Sequence, residues 1–296
     1  MDLATFIQLL IGGVSIGALY ALPALGISLI WNAAGVFNFA NGEFVMIACF
    51  LTWSCLVVYK LPFLLAIGTT IIFMFLFGIL TERVVVRTLR NYNAPPIKVL
   101  VSFIALSIFL RNAGRFVWGT MPRTVPNPFG SRPLELLPNV FVMPHTIWIL
   151  LIAVGVMVLL YIMFRYTMVG VAMRATTQNR QAAALMGVNT NRMVGLTFGL
   201  SSAIAALTGT LSGAIFFITL EMGIMFSTKA FTANIIGGFG NPVGAIVGGV
   251  ILGVVETLGA SIISSQYKDV ITFSLLLFFL LFRPKGLFKL EIIEKV

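Results

Sequence analysis

The sequence predicts an all-α membrane protein that crosses the bilayer with about eight transmembrane helices. Of its 296 residues, 59% are hydrophobic and 9% are charged, and the mean hydropathy is +1.05. A soluble domain has about 25% charged residues, so this chain has too few to cover a folded surface in water. Apolar stretches continue to residue 282, so one cleavable secretion signal does not explain them. The composition therefore excludes a soluble enzyme, a nucleic-acid-binding protein and a disordered chain.

The spans follow from the length that a bilayer demands. A helix needs about 20 mostly apolar residues to cross the hydrocarbon core. Alternating patterns typical of β-barrel strands are absent, and helices satisfy their own backbone polar groups. We treat residues 1–296 as a single transmembrane domain. The predicted spans are 6–30, 43–59, 61–81, 99–118, 145–164, 193–219, 242–264 and 268–282.

The excess of basic residues predicts the orientation of the chain. There are 19 Lys and Arg against 9 Asp and Glu, a net charge of +10. Most of the basic residues lie between spans, where they mark the cytoplasmic side, so the charge does not indicate nucleic acid. Three segments are predicted to be cytoplasmic: 82–98 with Arg83, Arg87, Arg90 and Lys98; 165–192 with Arg165, Arg174, Arg180 and Arg192; and the tail with Arg283, Lys285, Lys289 and Lys295.

The segment 119–144 then lies outside. It is expected to be an ordered loop without regular structure, because it contains six prolines: Pro122, Pro126, Pro128, Pro133, Pro138 and Pro144. At the end of the preceding span, Arg111 and Arg115 are expected to extend to the membrane interface.

Two polar stretches interrupt the apolar sequence. The last two spans must start and end in the cytoplasm, so 220–241 has to return the chain across the membrane, although it contains Glu221, Lys229 and Asn234. A broken or re-entrant segment fits, because such backbone is tolerated at membrane depth when it is buried in protein or lines a water-filled cavity. A similar polar stretch occupies 31–44.

Paired interruptions of this kind predict a substrate path between them. The glycines at 237–240, followed by Pro242, are expected to form an unwound turn whose backbone faces a cavity. The residues predicted to line the path are Asn38, Asn41, Glu43, Phe231, Asn234, Gly237, Gly238 and Gly240.

The cytoplasmic segment 165–192 is too long for a tight turn. Its middle, RATTQNRQAAALMG, is predicted to be one helix that ends at Gly187. One side of that helix is small and apolar and lies beside Arg174 and Arg180. That side suits docking to another protein, although a solvated linker helix fits equally well. Its members are Ala172, Ala175, Ala182 or Ala183, and Met186.

Nucleotide and metal motifs are absent from the sequence. GxxxxGK[ST] does not occur, and no lysine is followed by Ser or Thr. Cys49 and Cys55 have no metal-ligand spacing, and His145 is expected to be a solvated interfacial side chain. We therefore expect no metal and no cofactor in this chain.

The residues alone are also compatible with two other classes of transport protein. The intramembrane carboxylates Glu43, Glu221 and Glu256 suit a proton-coupled secondary transporter. Glycines at every fourth position, such as Gly240, Gly244 and Gly248, are usual in closely packed helices. Glycine-rich helices of this kind are also compatible with a passive channel.

Four motifs, in order along the chain, resemble those of branched-chain amino acid ABC transporter permeases. NFANGEF at 38–44 resembles the family's N-F-A-H-G-E signature, and QAAALMG at 181–187 is similar to the E-A-A-x-x-x-G coupling motif. FTANIIGGFGNPVGAIVGGVILGVVE at 231–256 and LLFRPKGLF at 280–288 resemble two later family segments. Urea and short-amide permeases are close relatives of this family.

The resemblance implies a permease subunit of an ATP-driven importer in a bacterial or archaeal cytoplasmic membrane. Its implied partners are a second, similar permease, two ATP-binding subunits that hold ATP and Mg²⁺, and an extracytoplasmic substrate-binding protein. The cytoplasmic helix becomes the coupling element, with Ala182, Ala183 and Gly187 in the ATPase groove. Asn41 replaces a histidine of many relatives, and Gln181 replaces the motif glutamate, which removes a charge at the ATPase contact.

Overall fold

The computed structural model describes residues 2–126, 130 and 132–288, and it is almost entirely helical. Within that part of the chain, eight helices are long and apolar enough to cross a membrane, which confirms the predicted fold class. They are α1 Leu3–Ala34, α2 Asn41–Val58, α3 Phe63–Asn91, α4 Pro96–Trp118, α5 Pro144–Tyr166, α8 Thr190–Ser212, α10 Pro242–Ile262 and α11 Ser265–Phe282. Three further helices lie between these spans, namely α6 Met168–Gln178, α7 Arg180–Leu185 and α9 Met222–Gly237.

The three basic segments lie at one end of the bundle, as the charge pattern predicts. Arg87, at the end of α3, donates a hydrogen bond to the carbonyl of Asn191 at the start of α8. The tail residues Leu287 and Phe288 donate backbone hydrogen bonds to the last carbonyls of α9. Lys289 and Lys295, and Pro128 of the outer loop, lie outside the described residues. We take this end as cytoplasmic.

The opposite end contains the loop after α4. Arg123 of this loop forms an isolated antiparallel bridge with Ile218. The hydroxyl of Ser15 in α1 donates to the carbonyl of Thr146, at the start of α5. The N-terminal part of α1 therefore lies at the extracytoplasmic end, a point that the sequence left undetermined.

The predicted return crossing through 220–241 is made by α9. Its 16 residues are a continuous helix about 24 Å long, shorter than the hydrocarbon core of about 30 Å. The interruptions lie at its ends: turns between Gly213 and Glu221, and a second turn that begins at Gly238. α9 packs against α1, α2, α10 and α11, so the bundle shields its polar residues from lipid.

The segment 119–144 departs from expectation. A short antiparallel hairpin pairs β1 Leu134–Leu137 with β2 Val140–Val142, so the prediction of a loop without regular structure was wrong. Asn139 allows the tight reversal because it adopts a φ of 65°, which asparagine tolerates better than most residues. Val140 and Val142 are buried and attach the hairpin to the bundle.

The most extensively packed helix pair, α1 with α10, is held by glycines on both helices. A Cβ atom on Gly17 would lie 2.7 Å from Cα of Val250 and 2.8 Å from the carbonyl oxygen of Gly249. A Cβ atom on Gly253 would collide with the backbone of Gly17. The regular glycine spacing in α10 therefore serves helix packing, since small residues let two backbones approach closely.

Replacing Gly17 with alanine is expected to destabilise the fold by about 1–3 kcal/mol, because the new methyl group meets backbone atoms that cannot rotate away. Gly12→Ala is the matched control on the same helix, since a Cβ there has no neighbour within 4 Å. The thermal unfolding midpoint in detergent should fall for Gly17→Ala and stay level or rise for Gly12→Ala. Equal midpoints for the two variants would contradict this packing.

Candidate functional site

The short helix α9 is buried on most sides but has one open stripe. Its buried face contains Lys229, Thr232 and Asn234, which α1 and α10 shield from lipid. The open stripe follows helical spacing and runs from the extracytoplasmic to the cytoplasmic end. Its members are Glu221, Ile224, Thr228 and Phe231. A carboxylate in line with this stripe indicates that it faces water or protein rather than lipid.

At its extracytoplasmic end the stripe borders a pocket of about 440 Å³. α9, α11 and the turn before α9 enclose the pocket. Glu221 and Asp269 contribute two carboxylates to its lining, and Lys229 contributes an ammonium group. The remaining walls are mostly apolar and include Phe216, Met225 and Phe273. The pocket thus combines both signs of charge with an apolar interior.

Lys229 is the centre of a buried polar cluster that joins four helices. Its ammonium lies 2.6 Å from Oε1 of Glu256 on α10 and donates to the hydroxyl of Tyr20 on α1 at 3.2 Å. The Tyr20 hydroxyl donates to the same Glu256 oxygen. Asp269 on α11 lies 3.8 Å from Lys229. Lys229 and Glu256 are each 3% exposed, so the pair exists in a low-dielectric environment.

The sequence indicated only part of this cluster. Lys229 and Glu256 stood out as charges in apolar sequence. Their pairing, at 2.6 Å, appears only in the structure. Tyr20 and Asp269 were missed, because no local pattern relates Tyr20 to a glutamate 236 residues later in the chain.

The cytoplasmic end of the stripe is closed by an inner aromatic cluster. The ring centroids of Trp31 and Phe37 are 4.4 Å apart, and those of Phe37 and Phe239 are 4.6 Å apart. Only a gap of about 20 Å³ remains beside Asn38 and Phe231. The cluster consists of Trp31, Phe37, Phe39, Phe231 and Phe239. The stripe is therefore open at its outer end and closed at its inner end.

Asn41 and Asn234, both predicted on the path, are fully buried and link helices. The Asn41 amide donates to the carbonyl of Pro23 in α1, and its oxygen accepts from Ser201 in α8. The Asn234 amide donates to the carbonyl of Ala24, also in α1. With these bonds made, both side chains are already engaged within the bundle.

Glu43 is also engaged within the bundle. Its Oε1 lies 2.6 Å from Arg111 on α4 and accepts a hydrogen bond from Ser107 at 3.0 Å. The expectation that Arg111 extends to the membrane interface was wrong. Its guanidinium instead pairs with the buried carboxylate of Glu43 on α2. Gly223 packs directly on this carboxylate, where any Cβ atom would collide with Oε2.

The predicted unwound turn after α9 is present. Gly238 and Gly240 have φ values of 104° and 83°, which favour glycine. Gly237 packs against the backbone of Gly244 with no room for a Cβ atom. The Gly240 carbonyl accepts from Asn32, and the Gly237 carbonyl accepts from Phe288 in the tail. These carbonyl groups are therefore bonded within the protein.

The cytoplasmic segment forms two helices rather than the single helix expected. The chain is extended at Asn179, whose side chain accepts hydrogen bonds from the amides of Gln181 and Ala182 and caps α7. This N-cap replaces the backbone bonds that a continuous helix would make. The predicted end is confirmed: Gly187 adopts a φ of 85°, and its amide and that of Val188 bond back to α7.

The six residues predicted to contact an ATPase divide into two groups. Arg180 bonds to Thr190 and Asn191 of its own chain, and Ala183 is buried. Burial lowers the pKa of Arg180, while the charge of Glu82 opposes that shift. Outward-facing positions are Arg174, Gln181, Ala182 and Gly187. Leu185 and Met186, which the prediction had not included as a pair, are 89% and 85% exposed at the tip of α7.

Comparison with known proteins identifies the family. A model of the branched-chain amino acid transport system permease component matches residues 9–280. The high-affinity branched-chain amino acid transport system permease protein LivH of Escherichia coli K12 is 34% identical, with 98% of each chain aligned. BraD of Pseudomonas aeruginosa, named as the same kind of permease protein, is 33% identical over the same shares. A probable permease protein LivH of Methanocaldococcus jannaschii is 24% identical, over 95% of this chain and 91% of that one.

The family match and the near-complete coverage agree with the eight helices, within the described residues, that are long and apolar enough to cross a membrane. The chain therefore belongs to the family of branched-chain amino acid transport system permease components and is a multi-pass transport subunit of the cytoplasmic membrane.

Proposed function

We propose that this chain forms part of the translocation path of an ATP-driven importer for branched-chain amino acids. The names of its relatives support this substrate. The observation that carries the proposal is the open stripe of α9, with a mixed-charge pocket at its outer end and the inner aromatic cluster at its other end.

The pocket has charges and walls that suit the ammonium group and the apolar side chain of a branched-chain amino acid. The carboxylates of Glu221 and Asp269 can attract a substrate ammonium group, whereas the ammonium of Lys229 is already paired with Glu256. Apolar walls such as Phe273 can bury a branched side chain. Its volume of about 440 Å³ lies within the usual size of small-molecule sites, about 300–1,000 Å³.

The assembly we propose contains a second permease, two ATP-binding subunits and an extracytoplasmic binding protein. The tip of α7 would contact an ATPase, since Leu185 and Met186 expose apolar side chains beside the exposed Gln181 and Ala182. Arg180 and Ala183 would hold that tip in place from within the chain. ATP and Mg²⁺ would bind the partner subunits.

The outer and inner ends of the open stripe of α9 support an alternating-access mechanism, because one is open and the other is closed. The outer pocket is open, and the inner aromatic cluster leaves only a narrow gap. ATP-driven movement of α6 and α7 would reach α1, which both contacts α6 and contributes Trp31 to the cluster. Separation of Trp31 and Phe37 from Phe239 would open the path inward.

The main alternative within the family is a urea or short-amide permease. Neither substrate has the ammonium group that the carboxylates of the outer pocket can attract. A proton-coupled transporter is a candidate of another class, but Glu43 and Glu256 are already ion-paired with Arg111 and Lys229. Both carboxylates are therefore engaged in contacts between helices.

Uptake by the assembled transporter in proteoliposomes tests the proposal. We expect leucine to accumulate only when ATP reaches the ATPase side, with competition from excess isoleucine and none from urea. Urea uptake in place of leucine uptake would select the amide alternative. Accumulation driven by a proton gradient without ATP would overturn the import mechanism, and downhill flux by this chain alone would indicate a channel.

A further inference from the structure

A second cavity, of about 360 Å³, lies at the cytoplasmic end of the bundle between α1, α5, α6 and α10. Its walls are almost wholly apolar. α1 contributes Leu25 and Leu29, α5 contributes Leu160 and Phe164, and α10 contributes Ile246. The cavity is elongated along α1, because Leu25 and Ala33, which both line it, are about 12 Å apart along the helix axis.

This cavity is separate from the path proposed above. Leu25 and Leu29 face the cavity, whereas Ile27 of the same helix borders the gap beside the inner aromatic cluster. Successive residues of an α-helix are rotated by about 100°, so Ile27 points to nearly the opposite side of α1 from Leu25. The whole helix α1 therefore separates the cavity from the open stripe of α9.

The cavity opens toward lipid through the edge formed by α5. This helix lies at the periphery of the chain and contacts only α1 and α6 extensively. Its outward side chains are exposed and apolar, among them Leu159 at 66% and Ile162 at 46%. An apolar cavity that opens beside such a surface is accessible to the acyl chains of the bilayer.

The rim of the cavity is basic. Arg174 on α6 lines the cavity, is exposed, and forms no ion pair with any described residue. Arg165 lies one turn beyond Tyr161, to whose hydroxyl it donates a hydrogen bond. No acidic residue appears among the described residues that line this cavity. The mouth therefore complements a negative headgroup at the level where the cytoplasmic leaflet carries its phosphates.

We propose that this cavity binds an acyl chain of an anionic phospholipid from the cytoplasmic leaflet, with the lipid phosphate held by Arg174. In the cavity, the acyl chain packs against apolar side chains. Both the acyl chain and these side chains then have closer contacts than they would have in the surrounding lipid. The guanidinium provides directional hydrogen bonds to the phosphate oxygens. Apolar burial and charge pairing thus act on the two ends of one lipid molecule.

Native mass spectrometry of the assembled transporter in mild detergent tests this site. Phosphatidylglycerol and phosphatidylcholine with identical acyl chains are titrated separately, together with glycerophosphoglycerol, which has the headgroup and no tails. We expect one saturable site that binds phosphatidylglycerol about five-fold more tightly than phosphatidylcholine, and no binding of the tail-free headgroup.

Four variants separate the contribution of the headgroup from that of the acyl chain. Arg174→Gln should abolish the preference for phosphatidylglycerol, whereas Arg192→Gln, at an exposed arginine on the same side that does not line this cavity, should preserve it. Ala33→Phe should fill the cavity and weaken both lipids. Val243→Trp, on α10 and 58% exposed, serves the same purpose if Ala33→Phe does not assemble.

The proposal is overturned if the wild type binds both lipids equally, or if Arg192→Gln reduces the preference as much as Arg174→Gln. Unchanged binding in the cavity-filling variants, or equal binding of the tail-free headgroup, would also overturn it. None of these outcomes depends on the transported substrate.

Discussion

Replacing Lys229 with methionine is expected to destabilise the folded chain by about 3–5 kcal/mol. The change removes the counter-charge that lies 2.6 Å from Glu256, a carboxylate only 3% exposed. Breaking a buried ion pair by removing one partner leaves an uncompensated charge in a low-dielectric interior. The Tyr20 hydroxyl can still donate to Glu256, but a neutral donor does not balance the charge.

The double variant Lys229→Met/Glu256→Gln should recover much of this loss, because it removes both charges together. Lys98→Met is the matched control, since Lys98 is exposed at the start of α4. Thermal unfolding midpoints of the wild type and the three variants in detergent measure these changes in stability. A Lys229→Met variant that is as stable as the wild type would contradict a stabilising role for the pair. A double variant that is less stable than Lys229→Met would contradict it as well.

Asp269 should matter much less. Its side chain is 76% exposed and lies 3.8 Å from Lys229. Exposed ion pairs contribute about 0–1 kcal/mol, so Asp269→Asn should change the unfolding midpoint little. A large stability loss in Asp269→Asn would indicate that α11 rather than α10 supplies the main counter-charge.

Replacing Gly187 with glutamate is expected to reduce ATP-driven uptake by about 30-fold or more, the loss caused by removing one central interface contact. A Cβ atom on Gly187 would meet no atom of this chain within 4 Å, so the substitution disturbs no internal packing. The position lies beside the exposed Leu185 and Met186, where a partner would be in contact. A long acidic side chain there would keep the ATPase away from the tip of α7.

Two variants separate this effect from backbone strain. Gly187→Asn keeps the residue small and tolerates the left-handed conformation, so uptake should fall much less than in Gly187→Glu. Gly35→Glu places the same residue at a similar φ, 66°, in open space, so both glutamate variants should lose similar, small amounts of stability. Wild-type uptake with Gly187→Glu would refute the coupling role of α7.

Some polar residues of the candidate site could be recognised from the sequence, but their roles could not. Asn41, Glu43 and Asn234 stood out because each is polar within an apolar stretch. A polar residue at that depth either lines a path or bonds to another helix, and the two cases have the same local pattern. The structure places all three in bonds between helices.

Phe231 was predicted to line the path, because it lies in the interrupted stretch 220–241. In the structure it lies on the open stripe of α9 and forms part of the inner aromatic cluster. Its neighbours in that cluster, Phe37 and Phe239, come from two loops far apart in the chain. Long-range contacts of this kind leave no signal in a local window of sequence.

The sequence by itself determined the membrane class, the eight spans, the end of the bundle that faces the cytoplasm and the need for a return crossing through 220–241. These features depend on the composition and length of continuous segments, because the bilayer selects apolar helices of a set length. Tertiary structure alone decided that Lys229 pairs with Glu256, that Asn179 divides the cytoplasmic helix, and that the outer pocket is open while the inner end is closed. Each of these depends on which helices become neighbours, and therefore on packing between segments that are distant in the chain.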